Sequence, residues 1–324
     1  MVTALGGGAD AAVEKAHAKQ GPATPTMVAV TDQATNQILV LDPSVSDWSA
    51  GNDAAALKWA WQPSAANGFS DGDPTWGLPN SVRLRHSEQQ ESEVILATSS
   101  NGFAGVASYP SGQRIWSTDA GLPNNPHSAE LLPNGNVAVA ATTPGWVRIY
   151  TASQGPDSQN FVQYDMPSAH AVLWDPKREV LWVVGMTNIV ALKIGGSAAE
   201  PVISVERNTI LPQTGGHFVE PVYGDKDRLW VTTSSYVYQY LKKSDTWSTS
   251  YEGAASIDRR GVKSVGNDPV TGQVLETVPS TLTVPGSCAT SWCTPTVDFF
   301  LPQQQRTRVN AQIYRAYWWV SKYQ

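Results

Sequence analysis

Charge and sulfur are both scarce in this chain: charged residues make up 15% of 324 positions, with two cysteines and four methionines. It lacks the basic excess that a nucleic-acid partner demands, since the formal net charge is −6 and the pI is near 5.4. No run of 18 apolar residues occurs, so no helical membrane span is expected. The first 26 residues lack the apolar core of a signal peptide and read as a flexible leader, leaving residues 27–324 as one domain. No Asn-x-Ser/Thr acceptor site is present, and no Gly-x-Ser-x-Gly elbow supports serine-type catalysis.

The two cysteines, Cys288 and Cys293, stand in the stretch Ser-Cys-Ala-Thr-Ser-Trp-Cys. A zinc site built on them would lack half its ligands, since no His or third Cys is near. Two free thiols and a disulfide remain; we expect the disulfide, and with it an oxidising, extracellular compartment.

Turn formers and aromatics are abundant instead: 26 Gly, 22 Pro and 13 Trp. Such a composition suits short strands joined by tight loops. From Met27 onward the chain repeats itself. Asn80, His127, His170, His217 and Arg260 each sit at the start of a similar unit, at separations of 47, 43, 47 and 43. A period of 40–50 residues with several strands per unit is the signature of propeller blades. Second strands are expected at Val94–Thr98, Val137–Ala141, Val180–Val184, Leu229–Thr233 and Val274–Val278, each after a turn such as Asn134-Gly135. A third and a fourth strand complete each blade.

The N-terminal segment begins out of phase. Val28–Asp32 resembles a second strand, and its missing first strand is supplied by Tyr314-Arg315-Ala316-Tyr317-Trp318, which matches His170-Ala171-Val172-Leu173-Trp174. The expected fold is therefore an all-β, six-bladed propeller of four-stranded antiparallel blades, closed by pairing both termini in one blade. Its first strands should start near residues 80, 127, 170, 217, 260 and 314.

First strands line the axis, so equal repeat positions form a ring at one channel mouth. That ring predicts convergence of His127, His170 and His217, with Asn80, Arg260 and Tyr314 completing it. Three imidazoles can ligate one divalent cation (Mn, Ca or Zn), while Arg260 holds an anion and Tyr314 moves a proton. Equally, an ancestral histidine can persist as a buried, hydrogen-bonded packing group. Arg315 and Tyr223 are further choices nearby. Loops on the same face bring Asp32, Gln33, Asn101, Thr143 and Asn188, and the rim aromatics Trp76, Trp146 and Tyr236 suit sugar rings, although tryptophan also packs between blades.

The blade pattern and the closing Tyr-Arg-Ala-Tyr-Trp strand resemble an uncharacterised family of secreted six-bladed propellers from bacteria and fungi, over about residues 27–324. More distantly, the ring is similar to that of propeller polysaccharide lyases, which place His, Tyr and Arg at the axial mouth, some with a histidine-bound metal. The resemblance implies a monomeric carbohydrate-active lyase that acts on a uronic-acid-containing glycan by β-elimination. A non-catalytic, lectin-like propeller for sugars or proteins is the alternative, yet a ring that changes from Asn to His to Arg to Tyr points to one asymmetric site.

Overall fold

Each repeat folds into four antiparallel strands, and six such sheets stand in a ring in the computed structural model, which describes residues 26–70, 75–143, 145–280, 288 and 290–324. The expected leader, but for Thr26, lies outside the described residues. Innermost strands are Pro79–Ser87, Pro126–Leu131, Ala171–Asp175, Phe218–Pro221, Ser264–Asn267 and Ile313–Trp318, for blades 1 to 6. Five begin within one residue of the expected start. Blade 5 begins four residues later than expected, at Ser264. The second strands Val137–Ala141 and Val180–Val184 have the expected bounds.

Blade 6 is composite. Ile313–Trp318 pairs antiparallel with Val28–Asp32, with Val28 opposite Trp318 and Val30 opposite Ala316. This pairing joins the two ends of the described chain in one sheet and removes the free edge that an open ring would expose. Each innermost strand also contacts its neighbours around the axis.

Burial falls from the axis outward. The second strands Val-Ala-Val-Ala-Ala and Val-Leu-Trp-Val-Val are buried at every position, because blades pack against both of their faces. Outer strands such as Phe161–Asp165 alternate half-buried with exposed residues. Apolar clusters fill the interfaces, for example Val183, Leu181, Val172 and Ala140 between blades 2 and 3. Hairpins are closed by aspartate-capped turns: Asp175 accepts from the backbone N–H of Lys177 and Arg178, and Asp268 from those of Val270 and Thr271. Gly272, at φ +78°, completes the second of these in a conformation that a side chain would strain.

The channel does not run through the molecule. Three positions beyond the ring residue, blades 1, 2 and 4 carry Arg83, Glu130 and Glu220, which meet on the axis. Arg83 pairs with Glu220 at 2.7 Å, and Arg85 holds Glu130 through two bonds of 2.8 and 2.9 Å. Tyr323 then covers Arg85, its ring 4.8 Å from the guanidinium carbon and its hydroxyl donating to the Leu131 carbonyl. The mouth opposite the histidines is thereby closed.

Cys288 and Cys293 form a disulfide, with Cα atoms 6.0 Å apart, in the connection between the blade 5 strands Val274–Thr277 and Thr296–Phe300. Among the described residues no helix is long and apolar enough to cross a membrane.

Candidate active site

The innermost strands enter the ring from one face, so the first side chain of each converges on the axis there. Asn80, His127, His170, His217, Lys263 and Tyr314 occupy these positions, one per blade. The three histidines do come together: ring centroids are 5.1 Å apart for His127 and His170, and 4.5 Å for His170 and His217. Tyr314 stands 5.7 Å from His127 and 6.0 Å from His217 by the same measure.

In blade 5 the ring residue is Lys263, which corrects the assignment to Arg260. The Lys263 N–H donates to the Thr277 carbonyl and so belongs to the ladder, whereas Arg260 is exposed in the turn ahead of the strand. Lys263 Nζ lies 3.1 Å from His217 Nε2, and Tyr314 Oη lies 3.2 Å from the same nitrogen.

Arg315 forms the floor rather than a substrate contact. It is fully buried, and it donates to the carbonyls of His127 (2.7 Å), His217 (3.0 Å) and Lys263 (3.2 Å). Asn80 is likewise buried, donating to the Pro126 carbonyl and lying 3.2 Å from His127 Nδ1, while Thr98 donates to its oxygen. It holds His127 in place. His170 Nδ1 is 2.9 Å from the Ser168 carbonyl, and His127 Nδ1 is 3.2 Å from that of Asn125.

Two cations, Lys263 and Arg315, share this mouth, and among the described residues no carboxylate pairs with either. Burial and the neighbouring positive groups act together. Desolvation, then Arg315, pushes the Lys263 ammonium down to about 8. Desolvation also holds the His170 imidazole at about 4, with His127 and His217 well below their ordinary range. Burial pushes the Tyr314 phenol up to about 12. At neutral pH the ring therefore presents uncharged imidazoles, a protonated phenol and a cationic amine.

Acid should destabilise this arrangement. The folded pKa values of the histidines lie below the 6.5 of the unfolded chain, so the unfolded state binds protons first as pH falls. The stability is complete above about pH 6.5 and is lost toward pH 4. His170 alone accounts for about 3 kcal/mol over that window. Thermal melts of wild type should show the loss, and an H127N/H170N/H217N variant should show a flatter profile; parallel profiles would contradict it.

The ring opens into a cleft of about 510 Å³ lined by His127, Lys263, Tyr314, Gln33, Asn101, Asn125 and Trp292. That volume lies within the range of ligand sites. Several expected contacts lie elsewhere. Asp32 is buried and caps its own turn, accepting from Ala34, Thr35 and Gln312. Trp146 is buried with its indole N–H on Asn124, and Trp76 packs edge-on against Trp61 and Phe103. Both serve blade packing. Asn188 donates to Asn208 at the periphery, and Tyr236 is exposed beside Tyr238. Tyr223 is in the closed half, its hydroxyl donating to the Lys322 carbonyl. Lys263 and Trp292 were not anticipated. Lys263 shares the pattern x-Ser-Val with Asn80, and Trp292 lies within the cysteine loop.

No group of three or more His, Cys, Asp or Glu side chains among the described residues is arranged to hold a metal ion. A cation centred on the histidines would have to displace Lys263 from His217.

A family model described as a family of unknown function (DUF6528) matches residues 28–281. No curated protein matches the chain. Among solved structures, a protein of unknown function from Bacteroides caccae is similar at 12% identity, covering 90% of this chain and 98% of that one, with a TM-score of 0.55. Sqt1 of Saccharomyces cerevisiae is similar at 14% identity, covering 79% and 67%, with a TM-score of 0.46. The first likeness concerns the fold alone.

Proposed function

For a chain that belongs to DUF6528, a family of unknown function, we propose a secreted lyase that cleaves a uronic-acid-containing glycan by β-elimination in the axial cleft. The observation that carries this reading is a concave mouth that presents Lys263 above the buried Arg315, neither of them paired with a carboxylate among the described residues, on a chain of net charge −6. Such a site favours an anionic ligand, and the disulfide supports an oxidising compartment.

The chemistry follows from the protonation states. The Lys263 ammonium neutralises the substrate carboxylate, which acidifies the proton at C5. The uncharged His127 imidazole takes that proton, and its electron pair becomes the C4–C5 double bond as the C4–O bond breaks. The Tyr314 phenol gives its proton to the leaving oxygen. Exchange with solvent restores both groups. Among the described residues, no paired carboxylates of the kind a glycosidase uses line this cleft.

Incubation with polygalacturonate, alginate and glucuronan, followed by absorbance of the unsaturated product, tests the proposal. Product from wild type is the expected result. Saturable binding without product would favour the lectin-like alternative, and neither binding nor product would overturn the reading. Metal analysis of the same sample addresses the competing proposal of a histidine-bound Mn, Ca or Zn ion.

A further inference from the structure

We propose that Trp292, next to the Cys288–Cys293 disulfide, forms a sugar-stacking subsite on the rim of the axial cleft. This rests on reading the cleft as a glycan site, and it adds that the ligand is at least a disaccharide. One unit would sit at Lys263 and the next on the indole.

Trp292 is the most exposed of the 13 tryptophans, at 40%, and it lines the same cleft as Lys263 and Tyr314. It is nevertheless held in place. Its indole N–H donates to Gln33 Oε1 at 3.0 Å, and buried Gln33 is itself anchored by donating to the Pro79 carbonyl at 3.2 Å. The next residue, Cys293, is buried, is bonded to Cys288, and accepts from the Ser280 N–H at 3.0 Å. An aromatic ring fixed by its edge keeps a face toward solvent at a cost in exposed apolar surface. That surface is recovered when the C–H face of a pyranose covers it. Asn101 lines the same cleft and supplies a polar partner for sugar hydroxyls. Because the ring is immobilised before binding, little side-chain entropy is lost on stacking, and the disulfide contributes by restraining the adjacent backbone.

The test is calorimetric. Wild type, W292A, W292F, C288S/C293S and K263M are titrated with galacturonate, short oligogalacturonides and neutral oligosaccharides of matching length. W292A should weaken oligogalacturonide binding about tenfold, leave the monosaccharide unchanged, and be largely rescued in W292F. The double-serine variant should follow W292A. If W292A binds every oligomer as wild type does, the subsite is overturned, whatever K263M does. If neutral oligomers weaken in W292A while K263M binds as wild type, the subsite stands and the uronate reading fails. Full affinity in C288S/C293S beside a weakened W292A would refute the clamp, and no binding of any glycan to wild type would refute both proposals.

Discussion

Replacing Lys263 by methionine is expected to lower affinity for a uronate ligand by about 100-fold or more, with no loss of stability. The first effect follows from removing a partly desolvated charge that faces the ligand carboxylate, a change worth about 2–5 kcal/mol in comparable pairs. The second follows from linkage. Lys263 releases its proton at about 8 in the folded chain, against 10.5 for an unperturbed lysine. Between those values the unfolded chain still holds the proton, so stability rises with pH across the window. Below it both states are charged, and the full penalty, about 3 kcal/mol, opposes folding. Methionine keeps the aliphatic packing and removes the penalty. Isothermal titration and thermal melts at pH 7 measure both effects, and R260M, altered only in an exposed turn, should match wild type. A K263M protein that binds normally would refute the anion site, and one that melts early would make Lys263 a structural residue.

Glu130→Ala should be the most damaging single change. The Glu130 side chain is fully buried, holds Arg85 through two bonds, stands 3.7 Å from Arg83 Nε, and accepts from the Leu131 N–H. Its removal leaves Arg85 charged, buried and unpaired, at a cost of about 3–5 kcal/mol. For a domain of this size that lowers Tm by about 5–8 °C. The double variant R85M/E130L should recover much of the loss, because it removes the orphaned charge together with its partner, and Arg83 retains Glu220 at 2.7 Å. Denaturant unfolding of the single and double variants provides the comparison. A double variant as unstable as E130A would place the cost in lost packing instead.

The part of the site legible in the sequence was the part that symmetry carries. His127, His170 and His217 share a repeat position, and a closed ring turns a shared position into proximity. The axial plug had the same kind of signal. Arg83, Glu130 and Glu220 each fall three residues after a ring residue, an offset present in the sequence itself.

In blade 5 the repeat is ambiguous. Arg260-Gly261-Val262 and Lys263-Ser264-Val265 both follow the x-x-Val pattern, and their distances from His217, 43 and 46 residues, both fit the repeat. The bond from the Lys263 N–H to Thr277 sets the register, while Gly261, at φ +76°, lies in the turn before the strand. Tryptophan was ambiguous for a related reason. An indole buries equally well between blades or on a rim, and only the neighbours of Trp146 and Trp292 tell the two apart.

Blade number, terminal closure, the cysteine pair and the histidine ring were thus determined by the sequence, because periodicity and short-range turn chemistry are local properties that repetition amplifies. The identity of the blade 5 cation, the burial of Arg315 and the placing of Trp292 at the cleft were decided only by the tertiary structure. Each depends on which backbone groups a strand register leaves to be satisfied, and on which side chains distant in the chain then meet.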